Sequence, residues 1–242
     1  MNRSVNAIRE SKENSFLSEI LYRKILLLFV IVAILAGCRA ERIDKLVIKR
    51  YSDKLSQPPP KSSSYITITT SLKPGKTVPS VTEKEVDKML PLLFYWQWED
   101  KFICTLNPKI PVSTFTNTVL PYANKGLKQK LNENRIELSI DQIPSSFAFA
   151  DKVHVIWFIY GVQWDLLSLT PDYKAMVVSY KVFAKDNSVV KAGLIKIADS
   201  NKKVEKQVYG SGKIGISAYL DQYDLNITAM SKKVVDAIVA EL

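Results

Sequence analysis

The chain has 242 residues, with 34 Lys and Arg against 24 Asp and Glu, for a formal net charge of +10. A hydrophobic content of 47% excludes a disordered chain, and two cysteines are too few for a disulfide scaffold. The basic residues lie as singles and pairs, such as Lys202-Lys203 and Lys232-Lys233. With no long basic run, that distribution argues for a solvated basic surface and against a nucleic-acid partner.

Residues 25–38, ILLLFVIVAILAGC, form an apolar run behind Arg23-Lys24. Crossing a bilayer as a helix takes roughly 20 apolar residues, so the run is too short to span. It matches instead the apolar centre of a secretory signal, roughly 7–15 residues long. Within it, Leu35-Ala36-Gly37-Cys38 resembles the lipobox of bacterial lipoproteins. The resemblance implies a signal peptide over residues 1–37, a diacylglyceryl group on the Cys38 sulfur, and cleavage before Cys38 with acylation, as by palmitate, of the new amino group. It places the protein in the bacterial cell envelope, held to the membrane by lipid on Cys38, in the outer membrane of a Gram-negative host. The leader before Arg23 is longer than such leaders usually are. With lipid on Cys38, Cys104 in KFICTL has no disulfide partner within the chain and is expected as a buried free thiol.

Residues 38–64 read as the lipidated cysteine and a tether. The charged stretch RAERIDKLVIKRYSDKL leads into SQPPPKSSS, where proline favours extended backbone and serine flexibility. A single domain is expected over 65–242. It begins with YITITT (65–70), an alternating β-branched strand, followed by the turn-rich LKPGKTVPS. Ser80 and Thr82 each precede a glutamate by three residues, which predicts a capped helix through TEKEVDKML. PLLFYWQWEDKFICTLNP predicts a hairpin, with strands 92–98 and 102–106 about a turn near Glu99-Asp100. Ser113 is expected to cap a helix across 114–131, kinked by Pro121.

Further along, RIELSID (135–141) alternates with Ile136, Leu138 and Ile140 on one face, and a strand is expected at 152–160. YKAMVVSYKVFAK and SVVKAGLIKIAD pair about Asp186-Asn187, and SNKKVEKQVYGSGK is a loop. The last helix starts near Ser217 and carries one apolar stripe: Leu220, Tyr223, Ile227, Met230, Val234 and Ile238. This order predicts an α+β fold, an antiparallel sheet with amphipathic helices packed on one face. Behind a lipobox, the order is similar to that of the auxiliary lipoproteins of bacterial envelope ABC transporters.

Candidates for chemistry are few. A serine–histidine–acid triad would have to use His154, the single histidine, and no GxSxG elbow presents a serine. A pair of histidines for a metal cannot be assembled, and YGSGKIGIS (209–217) lacks phosphate-loop spacing. No catalytic, cofactor or metal residue is predicted. The distinctive feature is aromatic density: FYWQW (94–98) and WFIYGVQW (157–164) hold all four tryptophans. Strand alternation puts Phe94, Trp96 and Trp98 on one face and Tyr95 on the other. These three, extended by Trp157 and Trp164, are the candidate apolar binding surface; the competing expectation is that both faces are covered as core. The expected function is a non-enzymatic binding or assembly factor of the envelope, engaging lipid or a transporter partner. An envelope hydrolase using His154 and a purely structural surface lipoprotein are the alternatives.

Overall fold

The computed structural model describes residues 43–55, 62–73, 77–123, 126–157, 161–208 and 213–242; Cys38 and the apolar run before it lie outside them. A helix over 43–55 (α1) comes first. It is followed by β1 (Ile66–Thr70), β2 (Ser80–Pro91), β3 (Tyr95–Leu106), α2 (Lys109–Tyr122), α3 (Leu127–Leu131) and β4 (Arg135–Gln142). Then come β5 (Ser146–Trp157), β6 (Gly161–Pro171), β7 (Met176–Phe183), β8 (Val189–Ile197), β9 (Val204–Val208) and α4 (Lys213–Glu241).

The fold is α+β, as the element order predicts, but the expected single sheet is two. One has the order β1-β4-β7-β8, the other β2-β3-β5-β6-β9. The chain alternates between them, so that the β2–β3 and β5–β6 hairpins belong to the second sheet and the β7–β8 hairpin to the first. Among the described residues only β1 and β4 pair in parallel; the other ladders are antiparallel. In β4, Ile136, Leu138 and Ile140 are buried together as their spacing requires, opposite Val182, Tyr180 and Val178 of β7. The β7–β8 hairpin turns where expected, with Asn187 at φ 67°.

Both sheets lean on α4. Its six-residue stripe is buried throughout, and 29 residues at 1.5 Å each make it about 43 Å long. Near its start, Tyr219 lies 4.8 Å from Phe147 of β5, ring centre to ring centre. A turn later, Tyr223 Oη donates to Pro144 O at 2.7 Å. At its far end, Glu241 accepts from Tyr180 Oη of β7 at 2.5 Å. Tyr180 crosses directly over Gly193 of β8, where a Cβ would come within 2.6 Å of the ring.

Several expectations need correction. Residues 43–55 are no tether: Ile43, Val47 and Tyr51 recur every four positions and are fully buried. Asp44 accepts from Ser80 Oγ and Thr82 Oγ1, both at 2.7 Å. Arg50 bridges Asp221 at 2.7 Å and Asp224 at 2.8 Å. Burial alone would lower the Arg50 pKa, but the two carboxylates outweigh it and hold it raised. The segment predicted as a capped helix is β2, because register with β3 overrides its helix propensity; its two hydroxyls serve Asp44 instead of a helix terminus. β3 is continuous through Glu99-Asp100, and the turn falls at 92–94, where Leu92 N–H donates to Tyr95 O at 2.8 Å. α2 begins at Lys109, whose N–H donates to Asn107 Oδ1, so Ser113 is an interior, buried residue. Strands β6 and β9 have no counterpart among the predicted elements; β9 occupies the expected loop.

Cys104 is buried and unpaired beneath Ser80 and Thr82, and burial pushes its thiol up to about 12. In a Cys38→Ser chain this thiol is expected to resist alkylation at about pH 8 until the protein is denatured; prompt reaction in the folded state would contradict the burial. Val47→Asp is expected to cost at least about 3 kcal/mol by burying an unpaired charge, read as a lower melting temperature by circular dichroism. An unchanged temperature would return 43–55 to the role of a tether.

Candidate functional site

The register of the five-stranded sheet sorts its residues into levels. At one level lie Asp87, Asp100 and Asp151; one step on lie Lys88, Glu99 and Lys152. Ion pairs tie the strands there: Lys84 with Asp87 at 2.7 Å and Asp100 at 3.0 Å, Lys101 with Glu85 at 2.6 Å, and Lys152 with Glu99 at 3.3 Å. Such partly exposed pairs contribute little energy. Their importance is positional, because they form a polar band across β2, β3 and β5.

On the near side of the band is the helix-covered core, with Phe102, Cys104 and Leu106 of β3 facing Phe147 and Phe149 of β5. On the far side are the β2–β3 and β5–β6 hairpin tips, and the side chains there are apolar again. Residues 89–98 and 153–164 contain no Lys, Arg, Asp or Glu. Leu93 at the β2–β3 turn is 85% exposed, Trp157 51% and Trp96 37%. Met89, Leu90, Leu92, Phe94, Ile156 and Val162 are exposed with them. Fully burying a side chain of this size stabilises by about 1.5–3 kcal/mol, so the folded domain leaves a large apolar contribution unused at one end.

The five expected residues divide. Trp96 and Trp98 share a face with Trp157: ring centres are 5.9 Å apart for the first two and 6.2 Å for Trp96 and Trp157. Trp96 and Trp98 stand in register with Val155 and Val153, both buried. Trp157 rests against Gly161, where a Cβ would meet the indole at 3.1 Å. Trp164 does not extend this patch. Paired with His154, it lies on the opposite face, its ring stacked at 5.0 Å on the imidazole. Tyr95 completes that side, its Oη 2.6 Å from His154 Nδ1. Phe94 sits in the turn, and its carbonyl accepts from Trp157 N–H at 2.8 Å, which joins the two hairpins at their ends.

Sequence reasoning missed the aliphatic apex, Leu92 and Leu93, by treating PLLF as strand. An apolar run that interrupts alternation at a hairpin turn was the available signal. Among the described residues no group of three or more His, Cys, Asp or Glu side chains could hold a metal ion, and no helix is long and apolar enough to cross a membrane. The tips offer apolar contact area, and exposed apolar patches of this kind mark interaction surfaces.

Comparison with known proteins finds no matching family model, no matching curated protein and no matching solved structure.

If the tips are a surface and not core, Trp157→Ala should cost well under the 3–5 kcal/mol expected for a buried aromatic. Phe147→Ala, which empties a fully buried position, should incur that full cost. Urea unfolding of both variants checks the contrast; equal losses would make the tip ordinary core.

Proposed function

We propose that the chain is a membrane-anchored lipoprotein of the bacterial envelope, acting as a non-enzymatic binding or assembly factor through its apolar hairpin tips. The observation that carries the binding role is the exposure of Leu93, Trp157 and Trp96 beyond the polar band. The anchor rests on Leu35-Ala36-Gly37-Cys38 and the apolar run before it. Two or more acyl chains hold a protein stably where a single chain binds only marginally. The non-enzymatic character draws support from the surroundings of His154. Its neighbours in the fold are Tyr95 and Trp164, neither of them the serine or carboxylate that a triad requires. The occupant of the tips is, in this reading, a lipid or an envelope partner such as a transporter subunit.

Cys38→Ser should abolish fatty-acid labelling and leave the leader attached; undiminished labelling would remove the lipoprotein reading. A chain starting at residue 39 should bind an apolar dye close enough for energy transfer from tryptophan. Leu93→Asp with Trp157→Ala should reduce that transfer severalfold. Dye binding that ignores both substitutions would remove the tips from the function.

A further inference from the structure

We infer that the two hairpin tips enter a lipid bilayer, the same bilayer that holds the lipid on Cys38; the inference rests on the lipoprotein reading above. Three features of the molecule select lipid over a protein partner. The tips are apolar on both faces and at the apex: Trp96 and Trp157 on one side, Ile156 and Val162 on the other, Leu92 and Leu93 at the end. A protein groove or a second copy would cover one face and leave the other in water, whereas a continuous apolar phase covers all of them. The side chains are also ordered by depth. Aliphatic leucines come first, tryptophan and tyrosine next, and the ion-paired band of Lys84, Lys101 and Lys152 with their acids last. Hydrocarbon, interface and water succeed one another in that order, with aromatic rings preferred at the interface. From Glu99 back to Phe94 the strand covers five steps, roughly 17 Å, which places the band near the level of the headgroups.

The third feature is the direction of α1. Tyr219 packs on Phe147 and Tyr223 reaches Pro144, so α4 runs away from the tips. Helix α1 runs the same way: Asp44 is held at Ser80 and Thr82 of β2, whereas Arg50 and Tyr51 meet Asp224, beyond Tyr223. Its first turn is therefore the end nearer the tips. Five residue steps separate Cys38 from Ile43, at most about 18 Å of chain. Along β3, Cys104 to Trp98 is six steps, about 20 Å. A chain of that length reaches at most the level of the polar band at Glu99, one step short of the tryptophans, and so matches the level of the headgroups.

All four tryptophans lie in the tips, and the apolar run at 25–37 has none, so intrinsic fluorescence reports this end alone. The experiment reconstitutes the full-length acylated protein into phosphatidylcholine vesicles with plain or brominated acyl chains, bromine being a contact quencher. Emission in the brominated vesicles should fall below half of that in the plain ones. Leu93→Asp, at a position too exposed to affect folding, should restore most of the emission while the protein stays on the vesicles and melts normally. Full emission in brominated vesicles, with the protein still held after a carbonate wash, would overturn bilayer entry and leave a protein partner for the tips. Loss of protein in that wash, together with an unacylated Cys38, would overturn the anchor and the inference with it.

Discussion

The stripe from Leu220 to Ile238 is the constraint on which the domain depends. Two sheets with separate strand orders have no ladder hydrogen bonds in common, so something apolar must be shared between them. Helix α4 is long enough to serve both, meeting Phe147 at one end and Tyr180 at the other. Its polar side then fixes α1 through Asp221 and Asp224, whose pairing with Arg50 closes the network. Remove the common helix and each sheet loses the apolar cover it shares with the other, and Arg50 of α1 loses both of its carboxylates.

The second sheet is longer than this cover. Strands β2, β3 and β5 each have 12 residues, and the helices reach only as far as the polar band. A sheet that merely outgrew its helices would turn polar and alternate toward water beyond that point. This one turns polar for two residue levels and then apolar again on both faces. The band therefore separates two apolar regions of different kind: one closed by helices within the fold, the other left for something outside it. That division connects the register of four strands to the proposed role at a membrane.

Elements with strong internal periodicity were legible from the residues alone. The α4 stripe, the alternation of β4 and the β7–β8 turn all follow from spacing, because one face of each is buried by its own fold. Elements whose conformation is imposed from outside were not. TEKEVDKML is rich in helix formers and becomes β2 only through its register with β3. Glu99-Asp100 resembles a turn, but lysines on neighbouring strands satisfy both carboxylates within the sheet. The charged stretch before the prolines hid α1, whose fully buried residues, Ile43, Val47 and Tyr51, come only once in four. At the candidate site, aromatic density was legible and its division was not. Which face Trp164 takes depends on pairing with His154 across β5 and β6, and β6 has a central run, LLSL, without alternation.

The parallel pairing of β1 with β4 has a consequence for the order of events as the chain is made. Ile66 meets Ile136, with a whole hairpin and two helices synthesised in between. Closing so long a loop costs entropy before any contact returns it, and such topologies fold slowly. The strands also alternate between sheets, so neither sheet is complete until β8 and β9 have emerged, and neither is covered until α4 follows. The native fold is therefore completed only when nearly all of the chain is available, and its two sheets close together at the end instead of one after the other.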